Sequence, residues 1–156
     1  MTNYGTWSQT QFCPTYAIGY NVKIQAPLKV GDNTALNEIK LICSDGSVLY
    51  STSMPWGEYG QDVRCPQNVR LNGFKMKSEA PQGPFVDDTA ANAVKMYCEN
   101  NSEISNQYEG SWGRWGNMIK CPINTYICGF RARVDPPCGP LCDNTALNSF
   151  IFTCCA

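Results

Sequence analysis

The chain contains no histidine. That absence removes Ser-His-Asp and Cys-His catalysis, along with the imidazole ligands of most zinc sites. Charge is scarce too: 16 % of the 156 residues are Asp, Glu, Lys or Arg, twelve basic against thirteen acidic, for a formal net charge of -1. So even a balance leaves no electrostatic footprint for nucleic acid, and no such partner is expected. No apolar run approaches the ~18 residues of a membrane-spanning helix, so no membrane insertion is expected. An amphipathic helical stripe is missing, as are a glycine-rich phosphate loop and a dinucleotide fingerprint, and no cofactor is expected. Met1-Thr2-Asn3 carries neither a charged nor an apolar leader region. A secreted chain of this kind is expected to have lost its signal peptide, with Met1 an added initiator.

Cysteine, by contrast, is abundant, with ten residues. Without histidine or paired Cys-x-x-Cys knuckles, metal is not expected, and oxidised disulfides in an extracellular setting are. An even count with no histidine to activate a thiol also argues against a catalytic cysteine. Asn100-Asn101-Ser102 fits the N-glycosylation sequon, in keeping with such a setting.

The chain repeats itself. Asp32-Asn33-Thr34-Ala35-Leu36-Asn37 returns as Asp87-Asp88-Thr89-Ala90-Ala91-Asn92 and as Asp143-Asn144-Thr145-Ala146-Leu147-Asn148. Each copy runs into an alternating stretch ending in cysteine, at Cys43, Cys98 and Cys154. Upstream lie Cys13-Pro14, Cys65-Pro66 and Cys121-Pro122. Before these stand aromatic-Gly-x-aromatic segments: Tyr4 to Trp7, Trp56 to Tyr59 and Trp112 to Trp115. One domain over residues 1–156 is expected, with copies at roughly 1–48, 49–103 and 104–156.

Within a copy the hydrophobic period is two, the signature of strands. Ile39, Leu41 and Cys43 alternate with Glu38, Lys40 and Ile42; Val94, Met96 and Cys98, then Phe150, Phe152 and Cys154, correspond. Val22 and Ile24 flank Lys23, Phe74 and Met76 flank Lys75, and Phe130, Ala132 and Val134 alternate with Arg131 and Arg133. One face is expected in a core and the other in water. The fold class is all-β, a disulfide-stabilised body with a pseudo-threefold internal repeat.

The Asp-Asn-Thr-Ala-Leu-Asn motif, the Trp-Gly segments and the Cys-Pro steps resemble those of the vitelline membrane outer layer protein I family across essentially the whole chain. The resemblance implies a β-prism of three four-stranded Greek-key sheets. It also implies association with the outer protein layer of eggs or another secreted coat. The cysteine-dense end, Cys138 to Cys155, departs from the family pattern.

Cysteine spacings of 30, 33 and 33 residues fit one bridge per copy: Cys13–Cys43, Cys65–Cys98 and Cys121–Cys154. Each loop closure contributes roughly 3–4 kcal/mol on the chain-entropy model. Cys128, Cys138, Cys142 and Cys155 allow three pairings, of which Cys138–Cys142 with Cys128–Cys155 is taken. The Asp motif reads first as a turn device, because short polar side chains bond to nearby backbone N–H groups. Asp87-Asp88 is the copy to watch, since it alone doubles the carboxylate. Trp56, Glu58, Tyr59, Trp112 and Trp115 read either as packing beside glycine or as an exposed platform for sugar rings.

The functional expectation is a secreted structural protein of an extracellular coat or matrix, binding glycans or glycoproteins, and not an enzyme. The alternative is glycosyl transfer or weak lysozyme-like activity by surface carboxylates, with Glu58, Asp62, Glu79, Asp87, Asp88, Glu103 and Glu109 candidates by type alone.

Overall fold

The computed structural model describes residues 6–7, 9–24, 36–51, 58–78, 91–106, 114–134 and 147–156. Apart from a 3-10 turn at Pro66–Asn68, regular structure there is all β. The strands are β1 (Thr6–Trp7), β2 (Gln11–Phe12), β3 (Ala17–Ile24), β4 (Leu36–Cys43), β5 (Val48–Tyr50), β6 (Glu58–Tyr59) and β7 (Val63–Arg64). There follow β8 (Leu71–Ser78), β9 (Ala91–Cys98), β10 (Glu103–Ser105), β11 (Arg114–Trp115), β12 (Ile119–Lys120), β13 (Tyr126–Val134) and β14 (Leu147–Cys155).

They form three antiparallel sheets. The first runs β5-β4-β3, with β6 and β7 both on the free side of β3. The second runs β10-β9-β8, with β11 and β12 both on β8. The third pairs β14 with β13, whose other side takes β1 and β2. Since β6 and β7 act as two pieces of one edge strand, the first two sheets are four strand positions wide. Each aromatic-Gly-x-aromatic segment feeds its short strands into the sheet of the preceding copy. The N-terminal pieces join the C-terminal sheet, which closes the cycle.

Equivalent irregularities mark the three long central strands. Register shifts fall between Ala17 and Gly19, Leu71 and Gly73, and Ile127 and Gly129. At each glycine a neighbouring backbone carbonyl crowds the site of a Cβ: that of Val63 at Gly19, Ile119 at Gly73 and Gln11 at Gly129. Glycine is what allows the edge pieces to lie so close. Just beyond each contact, Cys13, Cys65 and Cys121 donate their N–H groups to the carbonyls of Cys128, Ile18 and Asn72.

The disulfides then join sheet to sheet. Cys13 follows β2 of the third sheet and bonds to Cys43 of the first. Cys65 follows β7 of the first sheet and bonds to Cys98 of the second. Cys121 follows β12 of the second sheet and bonds to Cys154 of the third. Three covalent links thus run in a ring around the body, while Cys128–Cys155 lies within the third sheet. Cys138 and Cys142 lie outside the described residues.

The core gathers where the three sheets face one another. Tyr20, Val22, Ile39 and Leu41 come from the first, Leu71, Val94 and Met96 from the second, and Ile127, Phe130, Ala132 and Phe150 from the third. Phe74 packs edge-on against Phe152 at 4.6 Å between ring centres. Burying such side chains contributes about 1.5–3 kcal/mol each.

The other face of the first sheet departs from the expectation of a water-facing surface. Asn21, Glu38 and Ile42 there are each only 2 % exposed. For Asn21 the cause is local. The link from β6 to β7 runs beside β3, where Asn21 Nδ2 donates to Gly60 O (2.8 Å) and to Asp62 Oδ1 (2.7 Å). Asn106 closes the same cover, donating from Nδ2 to Asn21 Oδ1 (3.0 Å) and Gln61 O (2.9 Å). Alternation predicts which side chains share a face, but not what the chain lays over it.

Candidate functional site

Of the aromatic candidates, Tyr59 and Trp115 have described side chains. They occupy equivalent places: Tyr59 pairs with Lys23 and Trp115 with Lys77, and Trp7 pairs with Arg133 in the same way in the third sheet. Neither Tyr59 nor Trp115 belongs to the core cluster, and both are half-buried on the outer faces. Glu58 pairs with Ile24 through its backbone. Trp56, Asp87, Asp88 and Trp112 lie outside the described residues.

Each ring sits among lysines from the two central strands. Around Trp115, Lys95 Nζ lies 4.8 Å from the indole centre, Lys75 5.2 Å and Lys77 5.9 Å. Around Tyr59, Lys40 Nζ lies at 4.9 Å and Lys23 at 5.6 Å. Cation–π attraction at such partly covered sites is worth about 0.5–1 kcal/mol per contact. The lysine stems lie along the sheet: the Lys23 and Lys40 side chains are 14 % and 15 % exposed. Strand alternation alone puts Lys23, Lys40 and Lys75 simply on a solvated face. The signal that they surround a ring was in the strand register, which the alternation does not carry.

The two sites differ in their acids. At Tyr59, buried Glu38 lies 3.9 Å from Lys23, and Asp62 lies 3.1 Å from Lys40 and 3.8 Å from Arg64. The Tyr59 hydroxyl is shut from solvent, beside the Glu38 carboxylate. Its burial, then the nearby Glu38 carboxylate, push its pKa far above the ordinary phenol value. At Trp115, Glu103 lies 3.5 Å from Lys95 and 4.0 Å from Lys75, and it accepts a hydrogen bond from the Tyr97 hydroxyl at 2.7 Å. Burial first, then Glu103, push the Tyr97 hydroxyl up to about 12. Trp115 is thus a ring on a polar surface, and Tyr59 a ring tucked beneath its neighbours.

A carboxyl that protonates a glycosidic oxygen needs a raised pKa. Burial opposes ionisation of Asp62, yet hydrogen bonds from Asn21 and Lys40, with the Lys40 and Arg64 charges, hold it below the ordinary range. Tyr97, then Lys95 and Lys75, do the same for Glu103. Arg70 does so for Glu99, and Ser47 for Asp45. Those four carboxylates suit salt bridges and turns rather than acid catalysis. Among the described residues no cluster of Cys, Asp or Glu is arranged to hold a metal ion.

A second feature was missed by the sequence reading. Tyr16, Arg70 and Tyr126 each directly precede or open the central strands and meet at one end of the body. The Arg70 guanidinium lies 3.6 Å from the Tyr126 ring centre and 5.1 Å from that of Tyr16, and pairs with Glu99 at 2.7 Å. Beside this cap opens a cavity of about 310 Å³, lined by Asn72, Glu99, Lys120 and the turn from Cys121 to Tyr126.

Comparison with known proteins agrees with this architecture. A prostate-specific WGA16 glycoprotein lectin superposes with a TM-score of 0.65 at 11 % identity, covering 99 % of this chain and 93 % of that one. Artocarpin, solved as a complex with mannotriose, superposes with a TM-score of 0.55 at 10 % identity, covering 99 % of both chains. At such identities the likeness is one of fold, the β-prism. In sequence, a vitelline membrane outer layer protein 1 homolog of Mus musculus is 34 % identical over 173 aligned residues, spanning 100 % of this chain and 82 % of the relative. The family model for vitelline membrane outer layer protein I matches residues 1–156, and the chain belongs to that family.

Proposed function

We propose that the protein is a secreted, disulfide-fixed part of an extracellular coat or matrix that holds glycans or glycoproteins on the outer faces of its sheets, without catalysing a reaction on them. The observation that carries this reading is Trp115: an indole kept out of the core and set among lysines and one glutamate. A half-exposed ring offers an apolar face to the C–H face of a sugar, and the surrounding ammonium and carboxylate groups offer hydrogen bonds to its hydroxyls. The ring of inter-sheet disulfides suits a part that must endure outside the cell. The mannotriose named with artocarpin lends the reading support by analogy of fold. Trp56, Glu58, Tyr59, Asp87, Asp88 and Trp112 are proposed as further contacts.

The test is a glycan array on the oxidised protein, including chito-oligosaccharides and sulfated chains, repeated with Trp115→Ala, Trp56→Ala and Trp112→Ala. Selective binding that Trp115→Ala abolishes, with disulfides and melting temperature retained, supports the reading. A blank array on folded protein sinks the glycan part and leaves a purely structural coat protein.

A further inference from the structure

The hairpin turn joining β9 to β10 carries Asn100-Asn101-Ser102, the only Asn-x-Ser/Thr triplet in the chain. The turn is tight. Asn101 N–H donates to Cys98 O at 2.9 Å, Cys98 N–H donates to Ser102 O at 2.8 Å, and Asn101 takes a left-handed φ of 71°. Within it Asn100 Oδ1 accepts the Ser102 N–H at 3.0 Å, and Asn100 itself is exposed.

The first sheet supplies an internal control. At the matching turn between β4 and β5, Asp45 Oδ1 accepts from Ser47 N–H at 3.0 Å and from the Ser47 hydroxyl at 2.6 Å. Cys43 N–H donates to Ser47 O at 2.8 Å, and Gly46 has a φ of 91°. A carboxylate therefore closes this turn as well as a carboxamide does. The turn asks only for a side-chain oxygen. What Asn100 adds over Asp45 is an amide nitrogen, on an exposed tip, two residues before a hydroxyl.

We infer that Asn100 is an N-glycosylation site. In the reaction Asn100 Nδ2 forms a bond to the anomeric carbon of a lipid-pyrophosphate-linked oligosaccharide and gives up a proton to the transferase. The bond from that carbon to the pyrophosphate oxygen breaks, and the lipid pyrophosphate leaves. In the folded protein the glycan stands at the disulfide end of the second sheet. Tyr97, which pairs with Glu103 at the start of β10, sits opposite Gly73, whereas Trp115 pairs with Lys77 further along β8. The attached sugar and the Trp115 ring are thus separated along the strand. The inference rests on the proposed extracellular routing of the chain, and sugar binding plays no part in it.

The experiment is to express the full chain, with a cleavable secretory leader, in a mammalian cell line and measure intact mass before and after peptide N-glycosidase. Wild type is expected to carry one oligosaccharide mass step. Removal of the sugar converts Asn100 to aspartate in the tryptic peptide of residues 96–114. Asn100→Asp, which keeps the side-chain oxygen that Asp45 uses, is expected to lose the step while being secreted with its bridges formed. Ser102→Ala provides a second loss variant that leaves the acceptor side chain in place. Wild-type protein that leaves the cell folded with Asn100 bare overturns the site while leaving the extracellular reading standing. A chain that stays in the cell, reduced and unmodified, overturns both.

Discussion

The Arg70 guanidinium carbon lies 3.6 Å from the centre of the Tyr126 ring, so a cation from the second sheet is stacked on an aromatic from the third. The same guanidinium donates from Nε to Glu99 Oε2 at 2.7 Å and from Nη2 to Glu99 Oε1 at 3.2 Å. A planar fork is needed to stack and to bind both oxygens, and an ammonium cannot do the two together. Arg70→Lys is therefore expected to cost about 1 kcal/mol of stability and Arg70→Ala about 1–2 kcal/mol, given the partial exposure of the pair. Urea denaturation of the oxidised proteins gives both values. A wild-type midpoint for Arg70→Lys would show that charge alone holds the cap.

Glu99 gives this cap a pH dependence. The Arg70 hydrogen bonds hold its carboxyl below the ordinary carboxylate range, against the opposing effect of burial. A depressed carboxylate stabilises the fold fully above its unfolded pKa and loses that contribution as pH falls through the folded one. Stability is expected to be level above about pH 5 and to decline below it, and Glu99→Gln is expected to flatten part of that decline. Thermal melts between pH 3 and 7 test the sign; an unchanged acid limb in Glu99→Gln would assign the loss to other carboxylates.

Much of this architecture was legible because each copy constrains the others. Repeated Cys-Pro steps and strand-ending cysteines carry the bridges Cys13–Cys43, Cys65–Cys98 and Cys121–Cys154, and alternation picks out Ile39, Leu41, Val94 and Met96 as inward residues. The exchange of edge pieces between copies was not legible, because the pairing of β6 and β7 with β3 depends on contacts across the chain rather than on local pattern. For the same reason the sequence told nothing of Asn21 and Glu38 being covered, or of lysines gathering around Trp115. Site residues are harder to read than folds because one ring type serves both packing and recognition, and only its surroundings separate the two.

The ring of bridges predicts a ranking among disulfides. Removing Cys65–Cys98 with paired alanines removes the covalent link between the first and second sheets, across a separation of 33 residues, at an expected cost of about 2–4 kcal/mol. Cys128–Cys155 spans 27 residues, between strands already paired by backbone hydrogen bonds. Its removal is expected to cost less. Guanidinium denaturation of the two double variants decides the order, and a larger loss for Cys128–Cys155 would refute the ring as the dominant restraint.

The glycines of the central strands predict a second ranking. A Cβ at Gly19 or Gly129 runs into a backbone carbonyl oxygen, whereas at Gly73 the nearest atom, Ile119 O, is 3.0 Å away. Backbone cannot swing aside as a side chain can, so Gly19→Ala and Gly129→Ala are expected to lose about 1–3 kcal/mol, and Gly73→Ala less. Melting temperatures of the three variants should fall in that order. Equal losses would mean that the edge pieces yield without cost.

Tyr20 makes the most demanding polar contact in the core. Fully buried on the first sheet, its hydroxyl donates to Val94 O at 2.7 Å on the second sheet and accepts from Asn106 N–H at 2.8 Å. Tyr20→Phe keeps the ring and its packing but strips a partner from one buried acceptor and one buried donor. The expected cost is about 1–3 kcal/mol, because unsatisfied buried groups lose more than a hydrogen bond contributes. Asn106→Ala removes the side-chain bonds to Asn21 and Gln61 while keeping the backbone N–H that Tyr20 accepts. Both changes loosen the hold on Asn106, so the double variant should lose less than the sum of the single losses. Strict additivity in the denaturation cycle would mean that the two residues hold the sheets together independently.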